Sequence, residues 1–195
     1  TQLAVRAWLP TNAVVSPVPA ILEYIPYRKR DGTAIRDEQM HPYWAGFGYA
    51  CIRVDMRGCG ESTGLMLDEY LQQELDDAVE VIEWIAEQPW CSGKVGMMGK
   101  SWGGFNSLQV AAMAPSALAA IVTVCSTDDR YADDIHYRGG ALLLDNFSWA
   151  STMACYMAKA PDPLLLPDTW RKQWLHRLEN MPCLLYTYTA SHKLL

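Results

Sequence analysis

A serine framed by glycines, Gly99-Lys100-Ser101-Trp102-Gly103, with Gly104 directly behind it, has the spacing of a nucleophile set on a tight turn. The apolar run Val95-Gly96-Met97-Met98 leads into it, and a small-residue helical pattern over residues 105–114 follows at once. A strand that hands a serine to so sharp a reversal needs glycines on either side, because the strained dihedrals leave no room for a Cβ. The helix beginning there presents free N–H groups to a developing oxyanion. The chemistry implied is acyl transfer, with Ser101 as nucleophile.

Gly60-Glu61-Ser62-Thr63-Gly64 fits the same Gly-x-Ser-x-Gly pattern, so the pattern alone does not choose. Ser62 follows a strand-like run, residues 49–55, through the glycine-rich turn Arg57-Gly58-Cys59-Gly60, and then enters another loop rather than a helix. It lacks the strand-to-helix reversal and reads as a loop serine in a local turn hydrogen bond.

A serine hydroxyl attacks only when a histidine takes its proton and a carboxylate orients that histidine, in the chain order Ser, Asp or Glu, His. The histidines after Ser101 are His136, His176 and His192, and none follows a predicted strand, so all three read as surface residues. The second oxyanion donor belongs in the loop after the strand at residues 20–25. Tyr27 stands there behind Pro26, read either as a hydroxyl donor or as an aromatic packing the strand end.

The elements that must position these groups alternate. Strands are predicted at residues 3–9, 20–25, 49–55, 95–98 and 119–124, with helices at 39–47, 68–87 and 105–114. The helix at 68–87 is the clearest: Leu71, Leu75, Ala78, Val79, Ile82 and Ile85 recur at three- and four-residue steps opposite an acidic face. Asp68 and Glu69 suit its N-terminus and Pro89 stops it. Such alternation implies a mostly parallel sheet covered on both faces. From Thr127 an acidic cluster and then a strand-free helical stretch, residues 141–160, read as an inserted cap.

The 195 residues carry a net charge of −6, and the longest basic cluster, Arg28-Lys29-Arg30, reads as a solvated loop. A nucleic-acid partner is not expected. The six cysteines contain no Cys-x-x-Cys, so neither a metal site nor a redox dithiol is expected; Cys51 and Cys125 read as small core residues and the setting as cytoplasmic. The apolar stretch 108–125 is interrupted by Gln109, Pro115 and Ser116 and reads as helix then strand, not as a membrane span.

Four ordered segments carry a family resemblance: Ile25-Pro26-Tyr27-Arg28, the run Val54-Asp55-Met56-Arg57-Gly58 through Gly64, Gln88-Pro89-Trp90, and Gly99 through Gly104. Together they resemble the Xaa-Pro dipeptidyl-peptidase-like hydrolases, and within these the cocaine-esterase-type acyl hydrolases. The likeness implies an α/β-hydrolase core, mostly parallel with helices on both faces, and the start of a helical cap. It implies Ser101 as nucleophile, with the Tyr27 hydroxyl and the Trp102 backbone N–H as oxyanion hole. Asp55 and Arg57 would order the glycine loop, and Trp149 and Phe147 are candidates for an acyl pocket under the cap, set against plain core packing. No cofactor is implied, and the expected substrate is a small ester or short peptide.

The family's acid and histidine lie on strands beyond the cap, and this chain carries no counterpart of them. The expected division is a core at 1–126, a cap at 127–182 and a divergent tail at 183–195. On this reading the chain is an incomplete hydrolase, truncated or frame-shifted, and inert by itself.

Overall fold

The computed structural model describes residues 1–181. Its main sheet contains β1 (Val5–Trp8), β2 (Val18–Ile25), β3 (Ala50–Asp55), β4 (Cys91–Lys100) and β5 (Leu118–Val124), in the spatial order β1-β3-β2-β4-β5. β1 pairs antiparallel with β3, and all other pairs are parallel. The connecting helices are α1 (Ala34–Gly46), α2 (Gln72–Ala86) and α3 (Trp102–Ala112). This is the α/β-hydrolase arrangement that the alternation and the resemblance led to expect.

Side chains alternate between the faces of each strand, so neighbouring residues serve different helices. Leu22, Tyr24, Ile52 and Val54 join Ala78, Ile82 and Ile85 of α2 and Val110 of α3 in one buried cluster. Glu23 and Arg53, paired in register, point the other way and meet Asp37 on α1. The sheet therefore has an apolar face under α2 and α3 and a charged buried face under α1.

Beyond the sheet, β6 (Tyr137–Arg138) and β7 (Ala141–Leu142) form a short hairpin, followed by α4 (Asp145–Ala158) and α5 (Trp170–Glu179). The stretch expected to be helical throughout thus begins with an antiparallel ladder, because Gly139 and Gly140 supply the positive φ angles of a tight turn. Helix α2 starts later than its periodicity suggests: Tyr70 sits at φ 56° and breaks the helix, leaving Asp68 and Glu69 in the turn before it. Helix α1 starts earlier, at Ala34.

Two further expectations are corrected. Arg28 and Lys29 are each only 4% exposed; of the basic cluster, Arg30 alone is solvated. Lys29 Nζ lies between Asp55 Oδ2 at 2.8 Å and Glu61 Oε2 at 2.5 Å, so its charge is matched inside the protein. Arg28 donates to the carbonyls of Lys159 and Ala160 at 3.0 and 2.7 Å, tying the end of α4 to the loop after β2. Cys125 is exposed rather than in the core, since β5 is the sheet's edge strand among the described residues. Among the described residues no helix is long and apolar enough to cross a membrane; the 108–125 stretch holds the end of α3 and β5.

Candidate active site

Ser101 occupies the single position between β4 and α3, at φ 58° and ψ −120°. A non-glycine residue held there stores about 1–3 kcal/mol of backbone strain, which only an over-determined surrounding maintains. Several contacts supply that surrounding. The Ser101 N–H donates to Val124 O at 2.8 Å, and its carbonyl accepts from Gly104 and Phe105 in the first turn of α3. A Cβ on Gly99 would overlap the Gly103 backbone, and one on Gly103 would come within 2.6 Å of Ile25 Cγ2. Gly99 lets strand and helix pack backbone to backbone, and Gly103 leaves room for the Ile25 side chain at the end of β2.

Tyr27 follows the end of β2 and is brought onto this turn. The Trp102 N–H, at the start of α3, donates to the Tyr27 hydroxyl at 3.4 Å, and the hydroxyl also hydrogen-bonds the Ser101 side chain. Burial raises the Tyr27 pKa above its ordinary value, with the Ser101 and Trp102 bonds acting the other way. The group thus stays a neutral phenol that can donate. A bond of 3.4 Å is long and weak, so an incoming carbonyl oxygen can take its place between the two donors at little cost. Ser101, the Tyr27 hydroxyl and the Trp102 N–H, the three groups expected to work together, are therefore in one place.

Trp102 is held from behind. Its indole N–H donates to Glu74 Oε1 at 2.6 Å, and Glu74 Oε2 accepts the Tyr70 N–H at 2.9 Å. Burial pushes the Glu74 carboxyl up to about 8, against the effect of these hydrogen bonds. Glu69, in the turn before α2, is likewise pushed up by burial, to about 7, with Arg130 at 3.5 Å pulling the other way. Arg130 stacks over the Tyr70 and Phe105 rings, and Tyr70 packs on Trp102 at 5.1 Å between centroids. Neither glutamate was read as a site residue, since both lie in what looks locally like a solvated acidic helix.

Ser62 is fully buried; its hydroxyl donates to Asp55 O at 2.5 Å and accepts the Ala4 N–H at 2.8 Å. That is a structural staple, reaching farther than a local turn. The Asp55 carboxylate accepts the Lys29 and Glu61 N–H groups, the latter at 3.4 Å in the glycine loop. Arg57, by contrast, pairs with Asp77 of α2 at 2.7 and 2.6 Å. Trp149 on α4 meets Tyr27 edge-on at 5.8 Å, whereas Phe147 is 66% exposed.

The histidines stand elsewhere. None of the hydrogen bonds of Ser101, Tyr27 and Trp102 among the described residues runs to a histidine. His136 is buried rather than on the surface: its carbonyl accepts from Leu143 N and Asn146 Nδ2, and burial lowers its pKa. His176 is exposed on α5, next to Asn180, and His192 lies outside the described residues, as does the tail from 183. Glu23, Asp37 and His41 bring metal-ligand atoms close together under α1. Their carboxylates already pair with Arg36 at 2.5 and 2.6 Å and with Arg53, so the group fits an ion-pair network better than a cation site.

Comparison with known proteins gives a family and a fold. A sequence model of the X-Pro dipeptidyl-peptidase (S15) family matches residues 1–193. A cocaine esterase from a Rhodococcus species is 35% identical over 132 residues, 66% of this chain and 22% of its own. A Mycobacterium bovis protein carrying a serine-esterase name is 34% identical over 104 residues, 53% of this chain. The chain spans only 16% of that relative's length. Among solved structures, a CocE/NonD-family hydrolase from Staphylococcus aureus superposes with a TM-score of 0.68 at 21% identity, covering 88% of this chain and 35% of its own. An α-amino acid ester hydrolase gives 0.63 at 23% identity, covering 80% and 28%.

Proposed function

The chain belongs to the X-Pro dipeptidyl-peptidase (S15) family, and on that premise we propose that it carries the nucleophile and oxyanion hole of a serine hydrolase. The Ser101 hydroxyl attacks the carbonyl of a small ester or short peptide, and the alcohol or amine leaves from an acyl-enzyme that water then releases. The tetrahedral oxyanion sits between the Tyr27 hydroxyl and the Trp102 N–H, with Trp149 and Phe147 as the candidates for an acyl pocket under the cap. One observation carries this reading: Tyr27 and Trp102, far apart in sequence, converge on a strained Ser101 at the head of α3.

The substrate is a small molecule met without nucleic acid, membrane or cofactor, and the five free cysteines of the described residues suit a reducing, cytoplasmic setting. Residues 127–182 serve as the cap over the core of residues 1–126. A catalytically inert module is the second reading, favoured by the absence of any Ser101–histidine hydrogen bond among the described residues.

The deciding assay compares a short-chain p-nitrophenyl ester with an Xaa-Pro anilide, using the protein as its gene encodes it. Turnover of either that vanishes in Ser101→Ala supports the hydrolase. Absence of turnover in the parent protein, or turnover that survives the substitution, supports the inert module or a different nucleophile.

A further inference from the structure

Between the loop after β3 and the first turns of α2 lies a cavity of about 320 Å³, which does not include Ser101 among its lining residues. That volume is within the range of small-molecule sites, roughly 300–1,000 Å³. Its walls are largely apolar, built from Met56, Leu65, Met66 and Leu71. Set into them are three acidic side chains, Asp68, Glu74 and Asp77, with the Gln73 amide, against the Arg57 guanidinium and the His176 imidazole. Arg57 is engaged by Asp77 through both oxygens, so it has little left for an anion.

One lining group has no partner. Tyr24 is fully buried, and its hydroxyl, which feels the charges of Glu74, Asp77 and Arg57, makes no hydrogen bond among the described residues. A buried hydroxyl left unpaired is costly, and it marks a place where a polar atom of something else belongs. Burial also raises the Asp68 pKa, as it does that of Glu74. A cation nearby would relieve both. A small metal ion needs a shell of about six oxygens, which Leu and Met walls do not offer. A cation with an apolar body suits the Met and Leu walls together with the Tyr24 hydroxyl and the Asp68 carboxylate.

We propose that this cavity binds a small primary organic ammonium, its hydrocarbon body against Met56, Met66 and Leu71 and its N–H groups toward the Tyr24 hydroxyl and the Asp68 carboxylate, with Glu74 in the same wall. Glu74 also holds the Trp102 indole, so occupation of the cavity reaches the residue that offers its backbone N–H beside Ser101. The site is therefore an effector site coupled to the nucleophile's neighbour. It stands whether or not Ser101 performs acyl transfer.

The test is calorimetric titration of the 195-residue chain at neutral pH with phenethylamine, and with phenethyl alcohol as the uncharged counterpart of similar shape. The expected result is saturable one-site binding of the amine, with the alcohol weaker by about tenfold or more. Asp68→Asn, which keeps the oxygen that accepts the Glu69 N–H, should weaken the amine severalfold and leave the alcohol unchanged. Leu71→Trp should fill the space and remove binding. In a ¹⁵N-correlated spectrum the Trp102 indole N–H resonance should move on amine addition, and Ser101→Ala should bind as the parent does. Absence of saturable binding, equal affinity for amine and alcohol, or binding indifferent to Asp68→Asn overturns the proposal. Because Asp68→Asn decides the question by itself, a misfolded Leu71→Trp protein does not leave it open.

Discussion

The Glu74 carboxylate accepts the Trp102 indole N–H at 2.6 Å, from 28 residues earlier in the chain. A buried acid of raised pKa is thereby fixed one side chain away from the backbone N–H that faces Tyr27. The contact links the stability of the elbow to pH as well as to packing.

The sign of that link follows from the direction of the shifts. Glu74 and Glu69 titrate at about 8 and about 7 in the folded protein, raised by burial from an ordinary value near 4.5. Between that value and the folded one, the unfolded chain is ionised while the folded chain still holds the proton. Stability present at low pH is then lost as pH rises, by up to about 1.4 kcal/mol per unit for each group. Urea midpoints measured from mildly acidic to mildly alkaline pH should fall in the parent, and less steeply in Glu74→Gln. Equal slopes in the two proteins would show that Glu74 ionises normally.

Arg28→Ala should loosen α4. The guanidinium is buried, and its bonds to the Lys159 and Ala160 carbonyls and to Asp31 hold the helix end against the loop that carries Tyr27. Hydrogen bonds to charged groups contribute about 1.5–3 kcal/mol each, and the loss should be at least that of one bond. Chemical denaturation gives the magnitude. Faster amide exchange confined to residues of α4 and α5 would place the effect; unchanged exchange there would contradict the role.

Tyr27→Phe removes the hydroxyl proposed as one oxyanion donor while leaving the ring against Trp149. In a turnover-competent protein its rate should fall by roughly 10²–10³, with little change in melting temperature. Normal turnover with reduced stability would instead make Tyr27 a packing residue.

The parts of this site readable from sequence are those fixed by local backbone demand. The elbow is legible because Gly99 and Gly103 are required wherever strand, serine and helix meet so closely, and the fold because apolar periods alternate between two and three to four residues. The Tyr27 role needed the family likeness, since an aromatic after a strand has many uses. Sequence alone leaves Arg28 and Lys29 at the surface because their partners, Asp55, Glu61 and the carbonyls of Lys159 and Ala160, are distant in sequence. The same reason hid Glu74, whose acidic neighbours suggest a solvated face until Trp102 is placed beside it. Cys125 has an apolar run around it, but an edge strand does not bury both of its sides.

The most direct measurement of the central claim is fluorophosphonate labelling of the protein as its gene encodes it, located by peptide mass mapping. The label should fall on Ser101, vanish in Ser101→Ala and persist in Ser62→Ala, where the lost bonds to Asp55 and Ala4 reduce stability by about 1–3 kcal/mol. Labelling that survives Ser101→Ala, or that maps to Ser62, would contradict the assignment of the elbow.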